Sequence, residues 1–198
     1  MLSIVAIAVG YLLGSISFSY LFGKWFKGID IRKHGSGNAG ATNTLRVLGK
    51  GPAITVLLLD GLKGIIAVLL GQWAGGDNLW IPVLCGLAAI IGHNWPVYFG
   101  FRGGKGIATT IGVMATLAFL PTLFAGLLAI AIIALTRYVS LGSLLLTAIL
   151  PFFLWGMGRP VEILWFSVIV AIFAFARHRA NIAKLLQGKE NKIGTKKA

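Results

Sequence analysis

Carboxylates are the scarcest chemistry in this chain. Five Asp and Glu stand against 18 Lys and Arg in 198 residues. The five are scattered, so they form neither an aspartate-rich site for phospho-alcohol transfer nor a cradle for magnesium. Charge of either sign is short: 12% of residues are charged and 57% are hydrophobic, whereas a soluble domain carries about a quarter charged residues. The single cysteine, Cys85, lies inside an apolar run, which excludes a disulfide framework and a cysteine metal site. Residues 1–22 lack a basic leader and a small-x-small cleavage site, so a cleavable signal peptide is not expected.

What is present is a series of apolar runs, several near the ~20 residues a helix needs to cross hydrocarbon. They cover about 2–23, 52–74, 78–99, 107–136, 138–156 and 160–176. The pattern predicts an all-α, polytopic integral membrane bundle, with residues 1–198 as one domain. The run 107–136 could be one kinked span or two short ones, and charge decides. The 24–50 loop and the 177–198 tail, where Lys196 and Lys197 add to the excess, are both strongly basic. Both are therefore placed on the cytoplasmic side. The first follows one span, so the N-terminus is outside, and a cytoplasmic tail then requires an odd count. Seven spans are expected, with Pro121 at an external turn, Arg137 back inside, and a short fourth span over about 107–119. Trp25, Trp73, Trp80, Trp95, Trp155 and Trp165 mostly fall near span ends, as interfacial belt residues do. Asp60 and Lys63, at i and i+3 within the second span, read as an internal ion pair that holds the bundle or orients a polar cluster.

Three polar segments break the apolar pattern, all on the expected cytoplasmic face. "IRKHGSGNAGATNTLRVLGK", residues 31–50, combines cations, hydroxyls and four glycines without one acid. "GHNWPVYFGFRGGKGIATT", 92–110, places glycines and Lys105 before an apolar run. Such a helix start offers backbone N–H groups and a full positive charge to an anion. It is not a Walker A loop. Gly100 is one residue too close, and Gly106 stands where the magnesium-binding hydroxyl belongs. Phosphate binding without metal, nucleotide or nucleic acid is the expectation. "ARHRANIAKLLQGKENKIG", 176–194, puts His178 and Asn181 three residues apart, on one face if helical. Each histidine has an asparagine nearby: His34 with Asn38, His93 with Asn94, His178 with Asn181.

Two classes fit three anion-suited clusters on one membrane face: an enzyme acting on phosphorylated substrates, or a transporter of a phosphorylated anion. No internal repeat of the kind expected in a transporter is visible. The histidine–aspartate spacing of soluble-type acyltransferases is missing, because five residues past the three histidines stand Ala39, Tyr98 and Ala183.

The three segments, in this order and over nearly the whole chain, resemble the signature motifs of the PlsY family, bacterial acyl-phosphate:glycerol-3-phosphate acyltransferases. The resemblance implies a bacterial inner-membrane enzyme with its active site on the cytoplasmic face. It would transfer a fatty acyl group from acyl phosphate to glycerol 3-phosphate, yielding lysophosphatidic acid and phosphate, with no cofactor or metal. On this reading Gly103, Gly104, Lys105 and Gly106 seat the acyl phosphate. Ser36, Arg46, Ser143, His178 and Asn181 hold glycerol 3-phosphate, with Asn38, Thr42 and Asn43 shaping the loop around it. Ser143 enters on the resemblance and its cytoplasmic placement alone. Lys105, His178, Asn181 and Ser36 are the catalytic candidates. Two bases remain open for the acceptor's hydroxyl proton, His178 and a substrate phosphate oxygen, with the phosphate preferred.

Overall fold

Apolar sequence without polar punctuation folds here as helix. In lipid the backbone must satisfy its own hydrogen bonds, and a helix does so within one segment. The computed structural model describes residues 1–194, and among these there is no strand; Lys196 and Lys197 lie outside the described residues. The order is α1 (Leu2–Gly14), α2 (Phe18–Lys27), α3 (Ala41–Leu48), α4 (Lys50–Gly75), α5 (Trp80–Asn94), α6 (Ile107–Leu117), α7 (Phe119–Thr136), α8 (Val139–Gly156), α9 (Val161–Arg177) and α10 (Arg179–Leu186). Single 3₁₀ turns stand at Ile31–Lys33 and Val97–Phe99. Five segments are long and apolar enough to cross a membrane: Leu2–Lys27, Lys50–Gly75, Trp80–Phe99, Phe119–Thr136 and Val139–Gly156. A sixth results if α9 and α10, bent by 63° at their junction, form one broken span. α6, with 11 residues, is a shorter apolar helix.

Three boundaries differ from the sequence expectation. The run 107–136 divides at Ala118, which leaves helical geometry (φ −154°, ψ 80°), not at Pro121. Pro121 is the third residue of α7, where its missing N–H removes no intrahelical bond. The first run is also broken, at 15–17, and α2 carries exposed Trp25 and Phe26 beside Lys24 and Lys27. The third difference is at His178, described below.

The chain divides into two compact units, Met1–Leu117 and Ala118–Ala198. In the first, α1, α4, α5 and α6 pack through small residues. Added side-chain carbon at Gly14 would strike the Ala89 carbonyl, at Gly92 the Tyr11 carbonyl, and at Gly112 the Gly61 carbonyl. Close backbone approach of this kind replaces the hydrophobic drive that lipid cannot supply. Gly112→Ala is therefore expected to force α4 and α6 apart, costing about 1–3 kcal/mol of overpacking. A lowered unfolding temperature in detergent checks this, and an unchanged one contradicts it. The ion pair foreseen in the second span forms: Lys63 Nζ lies 2.8 Å from Asp60 Oδ1, and both residues are buried. Lys63 Nζ also donates to the Ile16 carbonyl at 2.8 Å, in the break between α1 and α2.

In the second unit α7 packs on α8, and α8 on α9. Arg137, at φ 65°, ends α7. Its guanidinium donates to the Ile193 carbonyl at 3.1 and 2.9 Å, and its own carbonyl accepts from the Ile193 N–H at 2.8 Å, so the tail is strapped to the α7–α8 turn. In both units many large apolar side chains point outward, among them Leu58, Trp73, Ile130, Leu135 and Phe152. Such a surface suits lipid contact.

Candidate active site

In the first unit the loop 31–40 owes its shape to Asn43. That side chain is fully buried in α3. Its Oδ1 accepts from the Ser36 N–H at 2.8 Å, and its Nδ2 donates to the carbonyls of Ile31 and His34 at 3.1 and 3.0 Å. Three bonds from one amide fix a loop that glycines would otherwise leave loose. Thr44 adds a bond from its hydroxyl to the Gly40 carbonyl at 3.1 Å and shares a 2.8 Å bond with Ser19. This holds Ser36 and His34 at the exposed surface and leaves Asn38 half-buried. Thr42 lies half-buried in the first turn of α3, and Arg46 is exposed in its last turn.

The one carboxylate beside this loop is spent. Asp30 takes Arg32 through two bonds, Nε at 3.0 Å and Nη2 at 2.9 Å, and also accepts the Arg32 backbone N–H at 3.0 Å. The Arg32 guanidinium beside it holds the Asp30 carboxyl below the usual carboxylate range. Arg32 Nη1 then reaches the Phe99 carbonyl at 2.6 Å, and the guanidinium stands 4.9 Å from the Tyr20 ring. Arg32, which sequence alone presents as one cation among several, thus ties the first polar loop to the second.

The glycine loop wraps the end of α5. The N–H groups of Gly103 and Gly104 donate to the carbonyls of Asn94 and His93 at 3.3 and 3.0 Å. Two N–H groups expected to face an anion are therefore engaged with α5. The orphan donors at this point are those general to a helix start, in the first turn of α6. Gly104 and Gly106 are buried and Lys105 is half-buried. Gly106 has φ +79°, a conformation that favours glycine.

In the second unit His178 is 2% exposed and sits at the joint between α9 and α10. It caps α9 through its backbone, and its carbonyl receives the Asn181 N–H at 2.8 Å. His178 is thus the cap shared by both helices and Asn181 lies in the first turn of α10, so the span bends at His178 instead of continuing straight past it. His178 Nδ1 lies 2.8 Å from the Ala174 carbonyl. A carbonyl only accepts, so Nδ1 carries a proton. Asn181 Nδ2 donates to Glu190 Oε1 at 2.7 Å, and Ser140 Oγ donates to the same oxygen at 3.1 Å. Glu190 was not a sequence candidate because it lies nine residues from Asn181 in a polar tail; only the return of the tail brings it back. Ser143 is buried, and its hydroxyl donates to the Val139 carbonyl at 2.9 Å. Among the described residues no cluster of His, Cys, Asp and Glu could hold a metal ion.

Comparison with known proteins shows the family of the chain. The family model for glycerol-3-phosphate acyltransferase matches residues 4–188. The chain is 56% identical to the glycerol-3-phosphate acyltransferase of Shouchella clausii, over 98% of each chain. It is 60% identical to that of Halalkalibacterium halodurans, over 94% of this chain and 93% of the other. Crystal structures of PlsY, an integral membrane glycerol 3-phosphate acyltransferase, superpose with TM-scores of 0.92 in the glycerol 3-phosphate form and 0.90 in the lysophosphatidic acid form. Identity is 41% in both, and 98% of this chain is covered. The chain belongs to the PlsY family of integral membrane glycerol-3-phosphate acyltransferases.

Proposed function

We propose that the protein transfers a fatty acyl group from acyl phosphate to a hydroxyl of glycerol 3-phosphate, yielding lysophosphatidic acid and phosphate. The observation that carries this reading, with the family membership, is the meeting of the two anion-suited loops in the first unit. The Ala39 carbonyl and Gly104 are in contact, Arg32 binds the Phe99 carbonyl, and Asp30, the acid that opens the first loop, is paired with Arg32. Two phosphorylated substrates need a patch of this kind, because a bare carboxylate would repel both.

The acyl phosphate is assigned to Lys105, the glycines 103–106 and the start of α6. Glycerol 3-phosphate is assigned, as the motif resemblance implies, to Ser36, Arg46, Ser143, His178 and Asn181. Asn38, Thr42 and Asn43 serve the loop. The enzyme acts at the cytoplasmic face of a bacterial inner membrane, with seven spans, the N-terminus outside and the tail inside. In that count α6 is the short fourth span, about 16 Å long at ~1.5 Å per residue, and therefore lies in thinned bilayer or a polar cavity.

Purified protein in lipid is expected to make lysophosphatidic acid from acyl phosphate and none from acyl-CoA alone. Product from acyl-CoA would overturn the donor assignment. Failure with both donors, together with uptake of labelled phosphate into vesicles, would favour a transporter. For the acceptor, Arg46→Lys is expected to raise KM for glycerol 3-phosphate about tenfold, since an ammonium cannot copy the bidentate guanidinium fork. The KM for acyl phosphate should move less than twofold. Equal changes in both would contradict the division of roles.

A further inference from the structure

We propose that His93 is a positioning residue for the acyl-phosphate seat: its ring, locked by Lys63 and Asp60, sets where the glycine loop carries Lys105. This rests on the reading of that loop as the donor site.

Gly104 is clamped on two sides. Its N–H is bound to the His93 carbonyl at 3.0 Å. Where a side chain would stand, it meets His93 Nε2, and the Ala39 carbonyl oxygen lies 2.6 Å from that same point. The imidazole therefore forms one wall of the loop, and both polar loops close on it. The ring is fixed from behind. Lys63 Nζ is 3.0 Å from Nδ1, and Asp60 Oδ1 lies 3.5 Å from Nδ1 and 2.8 Å from Nζ. The Lys63–Asp60 pair thus backs the Nδ1 edge of the ring, and the Nε2 edge faces the loop. His93, Lys63 and Asp60 are each no more than 6% exposed.

Three ionisable groups inside a membrane bundle are a costly way to gain stability, because a well-packed apolar cluster commonly does as well. Their value here is direction. A buried carboxylate and amine packed on one edge hold an imidazole in one orientation, as outer partners do around other functional histidines. Lys105 is the residue after Gly104, so a loop that sinks into space left by the ring takes Lys105 with it. Misplacement by about 1 Å is enough to cost on the order of 10²-fold in rate.

The test uses the full-length protein in lipid nanodiscs and three variants. His93→Asn keeps an acceptor near Nδ1 for Lys63 and places nothing at Nε2. His93→Gln keeps an N–H near Nε2. His93→Ala removes both. Alanine and asparagine are expected to raise KM for acyl phosphate, and the inhibition constant of inorganic phosphate as its competitor, by about tenfold or more. The KM for glycerol 3-phosphate should stay within about twofold of the parent value, and glutamine should recover most of the loss. Amide hydrogen exchange over residues 103–106 should quicken in the alanine and asparagine variants only. If alanine fails to fold, the asparagine–glutamine pair carries the comparison. Equal behaviour of that pair, or equal rises in both KM values, would overturn the proposal. A Lys105→Ala variant separates the two readings. If it is fully active, the donor seat itself is misassigned. If it is inactive while His93→Ala binds acyl phosphate normally, only the positioning role fails.

Discussion

Lys105→Ala is expected to lower turnover by about 10²–10³-fold while the protein still inserts and folds. In the proposed transfer the acceptor hydroxyl oxygen attacks the acyl carbonyl carbon, and the bond from that carbon to the phosphate oxygen breaks. Negative charge grows on the departing phosphate. A fixed cation at that point acts mainly in the transition state, and removal of one preorganised electrostatic partner costs about 2.7–4 kcal/mol. Lys105 is half-buried at the mouth of a helix, and its neighbour Gly104 is bound to the His93 carbonyl of α5. Its loss should leave the fold intact. Lys105→Arg keeps the charge and should retain part of the rate. Turnover of the alanine variant within fivefold of the parent, at saturating donor, would remove Lys105 from the chemistry.

The same loop shows where sequence reading stops. Helices were legible because long apolar runs without alternation fold as helix in lipid, and the glycine–lysine–glycine pattern raised the expectation of an anion seat. The pattern could not tell which N–H groups were available. Gly103 and Gly104 turn their donors onto the Asn94 and His93 carbonyls, a fact of chain direction that composition does not encode. Pro121 drew the helix break to itself, yet Ala118 makes it, because a proline is tolerated in a first turn. The i, i+3 rule found Asp60 and Lys63 but not His93, which joins them from another helix 30 residues on. Glu190 stands nine residues from Asn181 along a polar tail, and the Arg137–Ile193 strap returns it there. Local periodicity reads an element. Partners supplied by a chain that doubles back are set by tertiary contacts.

The second large effect concerns the acceptor's proton. Glycerol, the acceptor without its phosphate, is expected to be nearly inert with the parent enzyme even at very high concentration. The competing base is His178. Its Nδ1–H is committed to the Ala174 carbonyl at 2.8 Å, so Nε2 is the ring atom that would have to take the proton. Taking the proton, however, would place a full positive charge on a side chain that is 2% exposed, among motifs already rich in lysine and arginine. A phosphate monoester with a second pKa near 6 has comparable basicity, arrives with the substrate, and lies close to the reacting hydroxyl. It gains a proton at the cost of one negative charge in a cationic site. On this account His178 and Asn181 orient the hydroxyl, the latter held by Glu190 at 2.7 Å, and the substrate supplies its own base. Added phosphite should then partly restore acylation of glycerol, and His178→Ala should depress both reactions through orientation alone. A brisk glycerol reaction that needs no added oxyanion and vanishes in His178→Ala would instead make the imidazole the base.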